Sequence, residues 1–181
     1  MIFLIISIIV ISLIGTISHF LYDISKHNKI VGLFAAVNES TWEHIKIALT
    51  PTFIWSIVDG LVYGSNPNYF FAKFISLLII IIIMPILFYG YKAIFKKDCF
   101  IYDIVIFYVV IILSQYSFYK ILQLNNLGFI VKYFSCFGII LLFGGYMIHT
   151  LMPGKGIIFK DPISKKYGYK AHTDNKKKGT N

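Results

Sequence analysis

Asn38-Glu39-Ser40-Thr41-Trp42-Glu43-His44-Ile45-Lys46 is a dense run of hydrogen-bonding and titratable side chains in a chain that is otherwise mostly apolar. Upstream of it, residues 2–22 are an apolar run that starts Ile2-Phe3-Leu4-Ile5-Ile6 and is broken only by small residues such as Ser12, Gly15 and Thr16. About 20 such residues at 1.5 Å rise cross a bilayer core of about 30 Å. The run lacks the positive start, short apolar core and Ala-x-Ala-like cleavage site of a secretory signal, so it reads as a permanent helix. Downstream, the apolar pattern resumes at once and a second helix begins.

Ser40-Thr41-Trp42-Glu43 fits a capping box, with Ser40 as N-cap and Glu43 reaching back to it. That helix runs to about Tyr63 and contains Pro51, which frees the carbonyl of Ile47 and predicts a kink. Gly60 and Gly64 match small-xxx-small spacing, a match that chance supplies equally well. Gly64-Ser65-Asn66-Pro67-Asn68 is a turn. Further spans follow at about Tyr69–Tyr91, containing Pro85, at Phe100–Tyr119 and at Phe129–Thr150, with Leu124-Asn125-Asn126-Leu127-Gly128 as the last turn. The expected fold is all-α: a polytopic transmembrane bundle of about five helices over residues 1–152, then a polar, partly disordered, lysine-rich tail over 153–181.

The composition agrees. Only 14% of the 181 residues are charged and 57% are hydrophobic, against roughly 25% charged in a soluble domain. The net charge of +9 comes from lysine alone, without arginine. Lysine lacks the planar fork that reads phosphate or base edges, and this basic charge sits beside membrane spans, so nucleic acid is excluded as a partner. The partners expected are the bilayer itself, anionic lipid headgroups at the tail, and a membrane-protein partner or a second copy. Most lysines fall on the side of the 23–39 loop, the 92–98 loop and the tail. The positive-inside rule therefore sets the N-terminus outside and the tail in the cytoplasm of a cell membrane. Cys99 and Cys136 have no partner spacing and read as apolar fillers.

This topology gathers residues that are distant in sequence. His19 and Asp23 end the first helix one turn apart on one face. Asn38, Glu39, Trp42, Glu43 and His44 open the second from the same side, Asp98 and Asp103 open the fourth, and His149 ends the fifth. Asp59 alone stands near the outer leaflet, where it pairs with a polar group or reaches the interface. Ionisable groups in spans are costly and mark candidate sites. Two readings stand side by side. Imidazoles and carboxylates at this spacing suit a divalent metal such as zinc, or a proton relay. Alternatively Glu43 completes a cap, Glu39 favours a helix dipole, and Trp42 and the histidines anchor at the interface. No HExxH, HxxxH or CxxC pattern is present, and no cofactor is specified.

Gly15-Thr16, His19-Phe20, Tyr22-Asp23, Val31-Gly32-Leu33-Phe34 and Val37-Asn38-Glu39-Ser40-Thr41-Trp42-Glu43-His44-Ile45-Lys46 resemble an uncharacterised bacterial family of small polytopic membrane proteins. Phe159-Lys160-Asp161-Pro162 followed by Tyr167-Gly168 resembles its ending. The Asn-Glu-Ser-x-Trp-Glu-His core is the specific part, and Asp23 and Asp59 stand where glutamate would be expected, shortening the reach of any site there. The resemblance implies the membrane fold and brings no activity. Three classes stay open: a membrane-embedded, metal-assisted enzyme, a small transporter, and a structural or regulatory partner.

Overall fold

The computed structural model describes residues 1–96 and 100–171. Asp98, Cys99 and the last lysines of the tail lie outside the described residues. Five long helices follow in order: α1 (Ile2–Ile24), α2 (Thr41–Tyr63), α3 (Tyr69–Phe95), α4 (Phe100–Leu122) and α5 (Phe129–Leu151). Short 3-10 turns lie at Val31–Leu33 and Ile157–Phe159, and no strand occurs among the described residues. Each long helix is apolar and long enough to cross a membrane. A helix satisfies its own backbone groups, the requirement a bilayer imposes. The main difference from the expected spans is α3, which runs on to Phe95 and ends at Lys96 in the left-handed conformation.

The helices bury small and polar side chains beside apolar ones and leave other large apolar side chains on their outer faces. In α1 the buried stripe is Leu4, Ser7, Ile11, Ser12, Gly15, Ser18 and Tyr22, while Ile5, Ile9, Leu13, Ile17 and Phe20 are exposed. Lipid is as apolar as these outward residues, so helix association rests on close backbone approach and interhelical hydrogen bonds. Gly15 supplies the first: a Cβ there would lie 2.7 Å from the Ile47 carbonyl oxygen and 2.6 Å from the Phe107 ring. That carbonyl is the one Pro51 leaves without its helical donor. The second is supplied by Ser76 and Ser114, whose hydroxyls lie 2.7 Å apart between α3 and α4, and by Thr50 and Tyr146, 2.8 Å apart between α2 and α5. α1 packs on α2 and α4, and α3 on α2, α4 and α5. Gly60 backs onto Tyr69 while Gly64 only closes the end of α2, so the two do not form one packing face.

Two ends of the bundle can be distinguished. At one, the Gly64–Asn68 turn is tied to the α4–α5 turn by Asn68, which donates to the carbonyls of Leu124 and Asn125 and accepts from Leu127 N–H. At the other, here the motif end, α1 finishes and α2 begins. Residues 153–171 fold back over that end, correcting the expectation of a partly disordered tail for this stretch. Phe159 is buried against Trp42, Lys160 and Tyr167 form an isolated antiparallel bridge, and Asp161 is fully buried. The polarity that read as disorder is spent on hydrogen bonds to the loop before α2.

Candidate functional site

Each polar residue of the motif is positioned by a different partner. Asn38 accepts from Ser40 N–H through its side-chain oxygen at 2.8 Å and donates to the Gly168 carbonyl at 3.1 Å. Glu39 gives its N–H to the Asp161 carboxylate at 3.1 Å, which leaves its own carboxylate facing outward, 44% exposed. The tail thus holds the Asn38 side chain and the Glu39 backbone N–H, each more than 120 residues away in sequence.

The expected capping box does not form. Ser40 is the N-cap residue but makes no side-chain cap bond. Glu43 reaches beyond it, accepts from Val37 N–H at 3.0 Å and pairs with Lys46. Lys46 in turn donates to the Gly32 carbonyl at 2.9 Å. Both charges are buried, so a neutralising partner one turn along α2 outcompetes the cap geometry. Glu43 is thereby committed to holding the 32–37 loop.

The other expected members separate as well. Trp42 lies against Phe159, with ring centroids 5.2 Å apart, and against His149 at 5.5 Å. His149 therefore belongs to the aromatic seat of the tail. Asp23 meets His27 at 3.0 Å, one turn on. Asp59 is buried at the far end of α2, where it pairs with Lys73 of α3. The Lys73 ammonium also lies 4.3 Å from the Phe118 ring centroid. Of the two alternatives, pairing with a polar group is the outcome for Asp59. Among groups outside the helices, burial raises the pKa of Tyr169, with Tyr22 and Glu43 adding to the rise; its hydroxyl donates to the Lys29 carbonyl at 3.0 Å.

What the fold brings together is His19, Glu39 and His44. The two ring Nε2 atoms stand 3.9 Å from opposite oxygens of the one carboxylate, and the rings are 5.6 Å apart. A separation of 3.9 Å exceeds a hydrogen bond. His44 Nδ1 lies 3.1 Å from the Ser40 carbonyl oxygen. A carbonyl only accepts, so Nδ1 is the donor of this bond, and Nε2 faces Glu39. The His19 Nδ1 has no partner among the described residues.

These three side chains line a cleft at the motif end. Asp103, held by the Tyr91 hydroxyl at 2.6 Å, lines it with His19 and His44. Asp23 and Asn38 line an adjoining recess beside His19 and Glu39. Lys92 and the tail residues Lys160 and Lys165 form its mouth. His19, Glu39 and His44 are the donor set that suits a divalent metal. Among the described residues, no group of three or more such side chains is close enough to hold a metal ion as placed. Sequence reading missed Lys46 and Asp161; the only available signal for Lys46 was its i, i+3 spacing from Glu43.

A family model described as "Family of unknown function (DUF6512)" matches residues 2–169. No curated protein and no solved structure matches the chain.

Proposed function

The chain belongs to this family of unknown function, and from its cleft we propose a multi-pass protein of the cell membrane, with the motif end in the cytoplasm, that binds a divalent metal at His19, Glu39 and His44. The observation that carries the reading is the convergence of two imidazole Nε2 atoms on opposite oxygens of one carboxylate. Two imidazoles with a carboxylate are the ligands of open zinc sites. Closing the 3.9 Å gaps to coordination spacing requires the Glu39 carboxylate and the two rings to move toward one another. The half-exposed Glu39 has the freedom to move. A metal held so, with a coordination position open to the cleft, would supply Lewis-acid chemistry to whatever enters it.

The test is thermal unfolding of chelator-stripped protein in detergent, with and without Zn²⁺. A ligand at about 100 times its Kd stabilises by about 2.7 kcal/mol, so the wild-type transition should move up clearly. Glu39→Gln and His44→Gln keep the backbone clamps and should lose the shift. No shift in the wild type, or equal shifts in all three proteins, would refute the metal reading.

A further inference from the structure

We infer that the cleft takes an anionic phospholipid from the bilayer, its acyl chain in the groove between α1 and α4 and its phosphate among Lys92, Lys160 and Lys165. The inference deepens the metal reading and rests on it in one respect, set out below.

The cleft has two chemically distinct halves. Between α1 and α4 it is lined by Thr16, Phe20, Ile104, Phe107 and Tyr108, with His19, His44 and Asp103 at its head. Phe20, Ile104 and Tyr108 are themselves exposed, so this half opens sideways from apolar helices, where acyl chains would lie. The Thr16 and Tyr108 hydroxyls, 3.1 Å apart, tie the two walls together. The other half, at the mouth, carries Lys92 and the two lysines that the folded-back tail delivers. His44 and Asp103 line both the groove and a neighbouring recess that holds Glu39 and Lys92. Glu39 and Lys92 in turn line the recess of Lys160 and Lys165, so the three adjoin in series from apolar to cationic.

An amphiphile with a negative head matches that sequence of environments. Three ammonium groups at a membrane surface attract anionic headgroups, and an apolar groove distinguishes a lipid from free phosphate. Glu39 and Asp103 also face the mouth and would repel a phosphate. The metal proposed above neutralises Glu39, which is the point of dependence. Asp103 is engaged by Tyr91.

The experiment is photo-crosslinking in nanodiscs with phosphatidylglycerol carrying a diazirine on its acyl chain, against the matching phosphatidylcholine. Labelled peptides are mapped by mass spectrometry, in Zn²⁺ and in chelator. Phosphatidylglycerol should label residues 16–20 and 104–108 preferentially. The double variant Lys160→Gln/Lys165→Gln should reduce that labelling roughly tenfold, with its melting temperature unchanged. Both lysines are exposed, so the fold does not depend on them. Labelling spread evenly over outward faces such as Phe134 and Ile140 would overturn the inference. So would equal labelling by the two lipids, or lysine-dependent retention without groove labelling. The arms separate the two proposals: labelling should fall in chelator, where Glu39 is left uncompensated. Groove labelling that persists there upholds the lipid site and overturns its dependence on the metal, and a Zn²⁺ shift without groove labelling leaves the metal and removes the lipid.

Discussion

Glu43 and Lys46 set the stability of the motif end at the level of single residues. Glu43 accepts from Val37 N–H and Lys46 donates to the Gly32 carbonyl, so one buried pair holds both ends of the 32–37 loop against α2. Removing one buried charge strands the other, at a cost of about 3–5 kcal/mol, while replacing both is often near neutral. Lys46→Met should therefore lower the melting temperature in detergent markedly, and Glu43→Gln/Lys46→Met should recover more than half of the loss. A double variant no better than Lys46→Met would show that the loop is held elsewhere. The same pair explains why the motif was only partly legible in the sequence. Ser40 and Glu43 have capping-box spacing, and sequence alone ranks the local partner first. The winning partners are Lys46, whose burial is a tertiary fact, and Val37, in an irregular loop. His19, Glu39 and His44 share one end of the bundle because topology alone sends them there. Their separation from Glu43 and His149 depends on side-chain directions that topology does not carry.

At the scale of elements, α1 and α2 approach closely because a glycine meets a carbonyl without its helical donor. The Ile47 oxygen is backbone and cannot swing aside, so the Cβ of Gly15→Ala, 2.7 Å away, forces the helices apart. Overpacking of this kind costs about 1–3 kcal/mol. Gly90 in α3 has open space where its Cβ would be, and Gly90→Ala should unfold at the wild-type temperature or slightly above it, since alanine is the better helix former. Melting curves of the two variants, measured side by side, check the contrast. Equal behaviour would mean that α1 packs more loosely than this contact implies. The helices themselves were readable because the length of an apolar run is a local property and a bilayer leaves little else for it to form. The contact between Gly15 and Pro51's freed carbonyl was not readable, since neither residue announces the other across the loop between them.

At the scale of the whole molecule, burial sharpens the charge asymmetry that orients the chain. Lys73, near the end opposite the motif, is paired with buried Asp59 and presents no charge to a lipid surface; among the described residues Lys120 and Lys132 remain on that side. At the motif end Lys46 is likewise taken up by Glu43, while Lys26, Lys29, Lys96, Lys155, Lys160 and Lys165 are exposed there. The folded-back tail concentrates its own lysines beside the cleft, where a freely trailing segment would disperse them. The positive-inside rule counts such short-loop lysines, which supports the motif end as the cytoplasmic one. In a background of Cys99→Ser and Cys136→Ser, a cysteine placed by Ser65→Cys should react with a membrane-impermeant maleimide on intact cells. One placed by Lys155→Cys should react only after permeabilisation. Ser65 and Lys155 are exposed at opposite ends, so the two labels have to disagree in any five-span topology, and labelling of both on intact cells would break the span count itself. The reverse pattern would turn the cleft and its lysines to the outside, where the anionic lipids of the cytoplasmic leaflet could not reach them.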